Sequence, residues 1–222
     1  MEIEQEHIRN FVYYGAKGSA ACKRNIRACY IIEIMALLLF FMFSVAADND
    51  NSKKINFVLS GLLLIIYIFH IAFSSLYKAD NTLLFEYINN SVAVVIMTIT
   101  LMAFMILVKL LSGRSIYVYL IYSAVFIIFT IINIKLLIKR VHTGIFTEYI
   151  KNESSNPSNI MLKFIPLVSI SGIIIGRVGA RSSSTRASAI ILDAVFLTLL
   201  CLTSIGYGNF LKVFYIKKFS IK

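Results

Sequence analysis

The chain has 222 residues, of which 59% are hydrophobic and only 15% charged, with two prolines, no tryptophan and a mean hydropathy of +0.81. Ordinary soluble domains carry about 25% charged residues, so the composition excludes them, along with disordered and collagen-like chains. The formal charge of +11 points to cytoplasmic loops and anionic headgroups rather than to nucleic acid, because no basic stripe interleaved with aromatics accompanies it. The expected fold is an all-α integral membrane protein, a bundle of about six transmembrane helices of roughly 20 residues each.

Residues 1–29 are polar and mixed in charge and form an N-terminal cytoplasmic segment. They lack the basic start, apolar centre and small-residue cleavage site of a signal peptide. Ile8 to Tyr14 suits a short helix on the membrane surface, interrupted by the glycines at 15 and 18. The first span is predicted over residues 30–47, ending in a polar turn at 48–54. The second covers 55–77. The third begins near Asn90 or Ser91 and runs to Leu111, and a tight turn at 112–115 leads to the fourth, 116–138.

The longest connection, 139–163, holds an amphipathic piece (Ile145, Phe146, Tyr149, Ile150) and a Ser/Asn/Pro stretch at 152–159. The fifth apolar segment, 164–176, is short. It either spans by continuing to Ala180, with Arg177 reaching to the headgroups, or re-enters. The sixth, 189–215, carries Gly206 and Gly208 as the mark of a bend and closes the transmembrane domain, 30–215. A basic tail, 216–222, follows. Tyr30, Tyr77, Tyr117 and Tyr215 fall at the expected interfaces, where amphipathic rings collect.

With both termini inside, 15 of the 22 lysines and arginines lie on the inner side and 7 on the outer. The positive-inside rule therefore places both ends in the cytoplasm. The 36 isoleucines and the abundance of Asn, Lys, Phe and Tyr fit an AT-rich genome, hence a bacterial cytoplasmic membrane.

Polar groups are costly in lipid, so their positions inside the spans are the informative ones. At helical periodicity the second span aligns Asn56, Ser60, Tyr67, His70 and Ser74. The third aligns Ser91, Thr98 and Lys109, the fourth Tyr119, Ser123, Thr130 and Asn133, and the sixth Asp193, Ser204 and Tyr207. Such stripes bury against one another as interhelical hydrogen bonds or line a polar pathway. Two pairs are expected from matching depth. Arg177 and Asp193 would meet near the outer face as a clamp, and Glu33 and His70 would meet nearer the inner face, able in principle to relay a proton. Gly172, Gly176 and Gly179 form a close-approach motif for helix contact.

Motifs of hydrolases, metalloproteases and nucleotide-binding loops are missing from the sequence, so no catalytic, cofactor or metal site is expected. The three cysteines, Cys22, Cys29 and Cys201, have neither disulfide nor zinc spacing. In size and hydropathy the whole chain resembles small polytopic proteins of low-GC bacteria, including toxin-immunity proteins and six-span permease subunits of exporters. That resemblance implies action through a partner: another membrane protein, a toxin or an ATPase subunit. The alternative is a small transporter, channel or permease subunit whose polar stripes line a path between helices.

Overall fold

A computed structural model of the chain describes residues 2–14, 30–31, 33–38, 41–42, 50–76, 83–112, 116–147 and 185–221. Those residues are helical almost throughout. They form α1 (Glu2–Tyr13), α2 (Asp50–Ser75), α3 (Leu83–Ser112), α4 (Ile116–His142), α5 (Thr185–Gly206) and α6 (Gly208–Phe219), and the described residues between 30 and 42 are helical as well. Four stretches are long and apolar enough to cross a membrane: Lys53–Ser75, Leu83–Lys109, Tyr117–His142, and Ile190–Phe219, which joins α5 to α6.

The helix ends differ from expectation. α2 begins at Asp50, so five of the seven residues of the predicted turn at 48–54 belong to the start of a helix. An acidic residue there complements the positive end of the helix dipole. α3 begins at Leu83, well before Asn90. The polar residues Glu86 and Asn89, which read as loop, are instead buried in its first turns. The helix hydrogen bonding is interrupted at Tyr207, where the two glycines predict a bend. A Cβ on Gly206 would lie 2.5 Å from Val94 and one on Gly208 2.8 Å from Leu137. Only glycine lets α3 and α4 come so close to this junction.

α3 is the central helix, touching α2, α4, α5 and α6. It runs antiparallel to α2, since Tyr67 meets Thr100 while Ser74 meets Asn89. It runs antiparallel to α5 too, with Phe196 stacked on Phe104 and Thr203 near Thr98. α4 and α5 are parallel, because Tyr119 pairs with Asp193 and Asn133 with Ser204. α4 therefore ends, and α5 begins, at opposite ends of the bundle. The fifth segment, with Gly172, Gly176, Gly179 and Arg177, lies outside the described residues.

The outer faces are apolar. α4 exposes Leu120, Ile121, Ile127, Ile128, Ile131 and Ile132, and α2 exposes Val58, Ile65, Ile68 and Phe69. Contiguous apolar surface of this kind is rare on soluble monomers.

α1 departs most from expectation. It starts at Glu2 rather than Ile8, and it docks on the end of the bundle. Ile8, Phe11 and Val12 are buried among Tyr87, Val141, Phe146, Tyr215 and Ile216. Tyr215, expected in an interfacial belt, belongs to this cluster, whereas Tyr117 is 72% exposed. The last carbonyls of a helix have no intrahelical donor, and α1 has no basic residue in its own last turn. Other helices supply the donors. Tyr87 Oη donates to Val12 O at 2.6 Å. Lys212 Nζ, from α6, donates to Tyr14 O and to Tyr87 Oη, and sits over the Phe11 and Tyr87 rings. At the outer edge His7 Nδ1 donates to His142 O at 3.1 Å, and Asn10 Nδ2 to Thr147 Oγ1 at 3.0 Å.

The turn that follows α4 permits this contact. Gly144 has φ +73°, and a Cβ there would sit 2.6 Å from His7 Nε2. Two substitutions test the dock. Tyr87→Phe leaves the Val12 carbonyl without its donor and is expected to cost about 1–3 kcal/mol. Gly144→Ala combines backbone strain with a clash and is expected to cost a similar amount, about 1–3 kcal/mol. Both are read from the thermal unfolding midpoint in detergent and from proteolytic release of the N-terminal segment, which should rise in each variant.

Candidate functional site

The polar stripe predicted on α2 faces inward along its whole length: Asn56, Ser60, Tyr67, His70 and Ser74 are all buried, while the opposite face is apolar and exposed. Ser60 and Ser74 donate to the carbonyls four residues earlier, Asn56 O and His70 O, both at 2.8 Å. Such back-bonding satisfies a hydroxyl within its own helix. The longer side chains reach other helices.

Glu33 meets His70, as matching depth predicts. Glu33 Oε1 and His70 Nδ1 are 2.6 Å apart, with side-chain exposures of 9% and 0%. The stretch bearing Glu33 runs antiparallel to α2, since Phe41 sits edge-on to Phe57 at the other end of the same contact. Tyr30 sits edge-on to the imidazole at 6.0 Å. Below His70, Ser74 Oγ also approaches Asn89 Oδ1 of α3 at 3.0 Å. About one turn above, Tyr67 Oη and Thr100 Oγ1 are 2.8 Å apart, and Thr100 donates to Ile96 O.

A cavity of about 20 Å³ lies beside Glu33, lined by Tyr67 and Thr100 and by the apolar Ala93, Ile96 and Met97 of α3. That is room for one water molecule. Among the described residues, Glu33 Oε2 and His70 Nε2 have no hydrogen-bond partner, nor does the fully buried amide of Asn56.

The other predicted positions are distributed through the bundle. Asp193 is fully buried and accepts from Tyr119 Oη at 3.4 Å. Its expected partner, Arg177, lies outside the described residues. Asn133 donates to Ser204 Oγ at 2.6 Å, and Tyr207 Oη to Thr98 Oγ1 at 3.2 Å. Lys109 is half-buried in the last turn of α3, where a cation suits the helix dipole. Among the described residues, no group of three or more His, Cys, Asp or Glu is arranged to hold a metal ion.

Thr100, Asn89 and Lys212 were not singled out by sequence. Thr100 lies about 200° around the helix from Thr98, so the two hydroxyls face different neighbours. Polar residues on two faces of one span are the signal of a central helix. For Lys212 the signal is a lone cation within the apolar run from Phe210 to Ile216.

Removing one partner of a buried hydrogen-bonded Glu–His pair strands the other, whereas removing both does not. His70→Leu is expected to lose about 3 kcal/mol of stability, and the Glu33→Met/His70→Leu double variant less than His70→Leu alone. Unfolding midpoints in detergent for the two single variants and the double variant check this; a double-variant loss equal to the sum of the two single losses would show that the pair is not coupled. Comparison with known proteins leaves the site to be read on its chemistry: no family model, curated protein or solved structure matches the chain.

Proposed function

We propose that the chain is a multi-pass protein of a bacterial cytoplasmic membrane that acts by contacting another membrane or secreted protein, as an accessory subunit or an immunity-type factor. One observation carries this reading. The polar stripes are joined to one another across the bundle, Tyr67 to Thr100, Ser74 to Asn89, Tyr207 to Thr98 and Asn133 to Ser204, so they serve to assemble the helices. What such a bundle offers its surroundings is its outer faces and its two ends.

Six passes with both termini inside suit this reading. The parallel run of α4 and α5 supports one further crossing between Thr147 and Thr185, and the charge bias supports the orientation.

A second reading, a small transporter, channel or permease subunit, is favoured by the buried Glu33–His70 pair and the cavity beside it. An ionisable group within a span is a functional candidate by default.

The test is affinity purification of the tagged chain from its native host in mild detergent. The expected result is a stoichiometric partner, a membrane protein, a toxin or an ATPase subunit, that is retained in the Glu33→Gln and His70→Gln variants. A chain that purifies alone, and whose Glu33, His70 or Asp193 variants insert normally but abolish solute flux, overturns the interaction reading in favour of transport.

A further inference from the structure

Beyond partner binding, and independent of it, we propose that Glu33, His70, Tyr67 and Thr100 form an intramembrane proton-binding site that takes up one exchangeable proton through the cavity beside Glu33.

The geometry of the pair sets its charge. At 2.6 Å a hydrogen lies between Glu33 Oε1 and His70 Nδ1. If the rest of the pair carries no further proton, the imidazole is neutral and the carboxylate negative, and one uncompensated charge sits in a setting with 0–9% exposure. A bare buried carboxylate is strongly disfavoured and neutralises when a proton is within reach. Adding one proton at Oε2 removes the net charge, leaving a carboxylic acid whose Oε1 still accepts from the neutral imidazole.

The two acceptor atoms left over are Glu33 Oε2 and His70 Nε2, each without a partner among the described residues. The cavity lies on the Glu33 side and has the dimensions of a single water. Tyr67 and Thr100 supply hydroxyls to its wall, already in contact with each other at 2.8 Å. Thr100 gives its hydrogen to Ile96 O and Tyr67 gives its own to Thr100, so a water there donates one hydrogen to Oε2 and the other to Tyr67 Oη. Uptake is then balanced as a hydronium giving its proton to Oε2 and leaving water, and release is the reverse.

The surroundings supply little competition for that proton. The described titratable groups facing the pair are Tyr30 on its own stretch and Tyr67 on α2. α3 contributes Thr100 and apolar side chains, and α5 contributes Phe196.

The experiment is infrared difference spectroscopy of the reconstituted full chain between acid and alkaline pH, in wild type and Glu33→Gln. The expected result is a carboxylic-acid carbonyl band, one per chain, that is present in wild type at acid pH and missing in Glu33→Gln. Asp193 and Glu86 contribute equally to both samples and cancel in the comparison. Tyr67→Phe keeps the ring and removes the hydroxyl, and should move the midpoint of the Glu33 band by about one pH unit, tenfold in proton affinity. Circular dichroism and gel filtration in detergent confirm that each variant is folded.

Identical spectra for wild type and Glu33→Gln overturn the proposal. If Glu33→Gln does not insert, Tyr67→Phe decides, and an unchanged midpoint overturns it. A band that responds to added sodium at fixed pH identifies the occupant as a metal cation and likewise overturns proton binding.

Discussion

A hydroxyl or amide placed in hydrocarbon has no water to bond, and the contacts between the long helices of this bundle are arranged around that constraint. α3 is where it is met. One face of α3 carries Thr100 and Asn89 toward Tyr67 and Ser74 of α2, and another carries Thr98 toward Thr203 and Tyr207. Each such contact contributes only about 0.6–2 kcal/mol, because polar groups of separated helices also find partners. Their importance is positional. Apolar side chains gain little by leaving lipid for one another, so they leave the register of two helices loosely set. A helix that slides by one residue loses its hydroxyl partner at once. The close approach of Gly206 to Val94 adds a steric stop at the same level.

Two sites of buried ionisable groups are treated in opposite ways. Lys212 sits among the natural targets of a donor, the Tyr14 carbonyl, the Tyr87 hydroxyl and the faces of the Phe11 and Tyr87 rings. Glu33 and His70 have each other and little else. The first arrangement is that of a rivet that holds α1 in place. The second leaves hydrogen-bonding capacity unspent beside a water-sized space.

Hydropathy alone made the crossing helices legible, and periodicity made the α2 stripe legible, since all five of its polar residues face inward. The Glu33–His70 contact was legible too, because two spans joined by a short turn must bring equal depths together. Helix ends were not. Asp50 to Lys54 and Leu83 to Asn89 are polar or mixed, and the same composition makes a loop or the first turns of a helix depending on what covers it. Here α1 and α2 cover Tyr87 and Asn89. The docking of α1 was illegible for a related reason. Its amphipathic pattern serves equally for a lipid surface or a protein surface, and its partners Val141, Phe146 and Tyr215 lie far along the chain.

That distance has a bearing on how the protein is made. α1 leaves the ribosome before the helices it docks on, yet the lysine that holds its end, Lys212, is separated from Tyr14 by 198 positions. The hydroxyls of α3 wait similarly for Thr203 and Tyr207, 105 and 109 positions later than Thr98. α1 is therefore without its full seat until α6 has been translated, and its apolar Ile8, Phe11 and Val12 wait that long for Tyr215 and Ile216. Docking of α1 is thus complete only on molecules that carry α6.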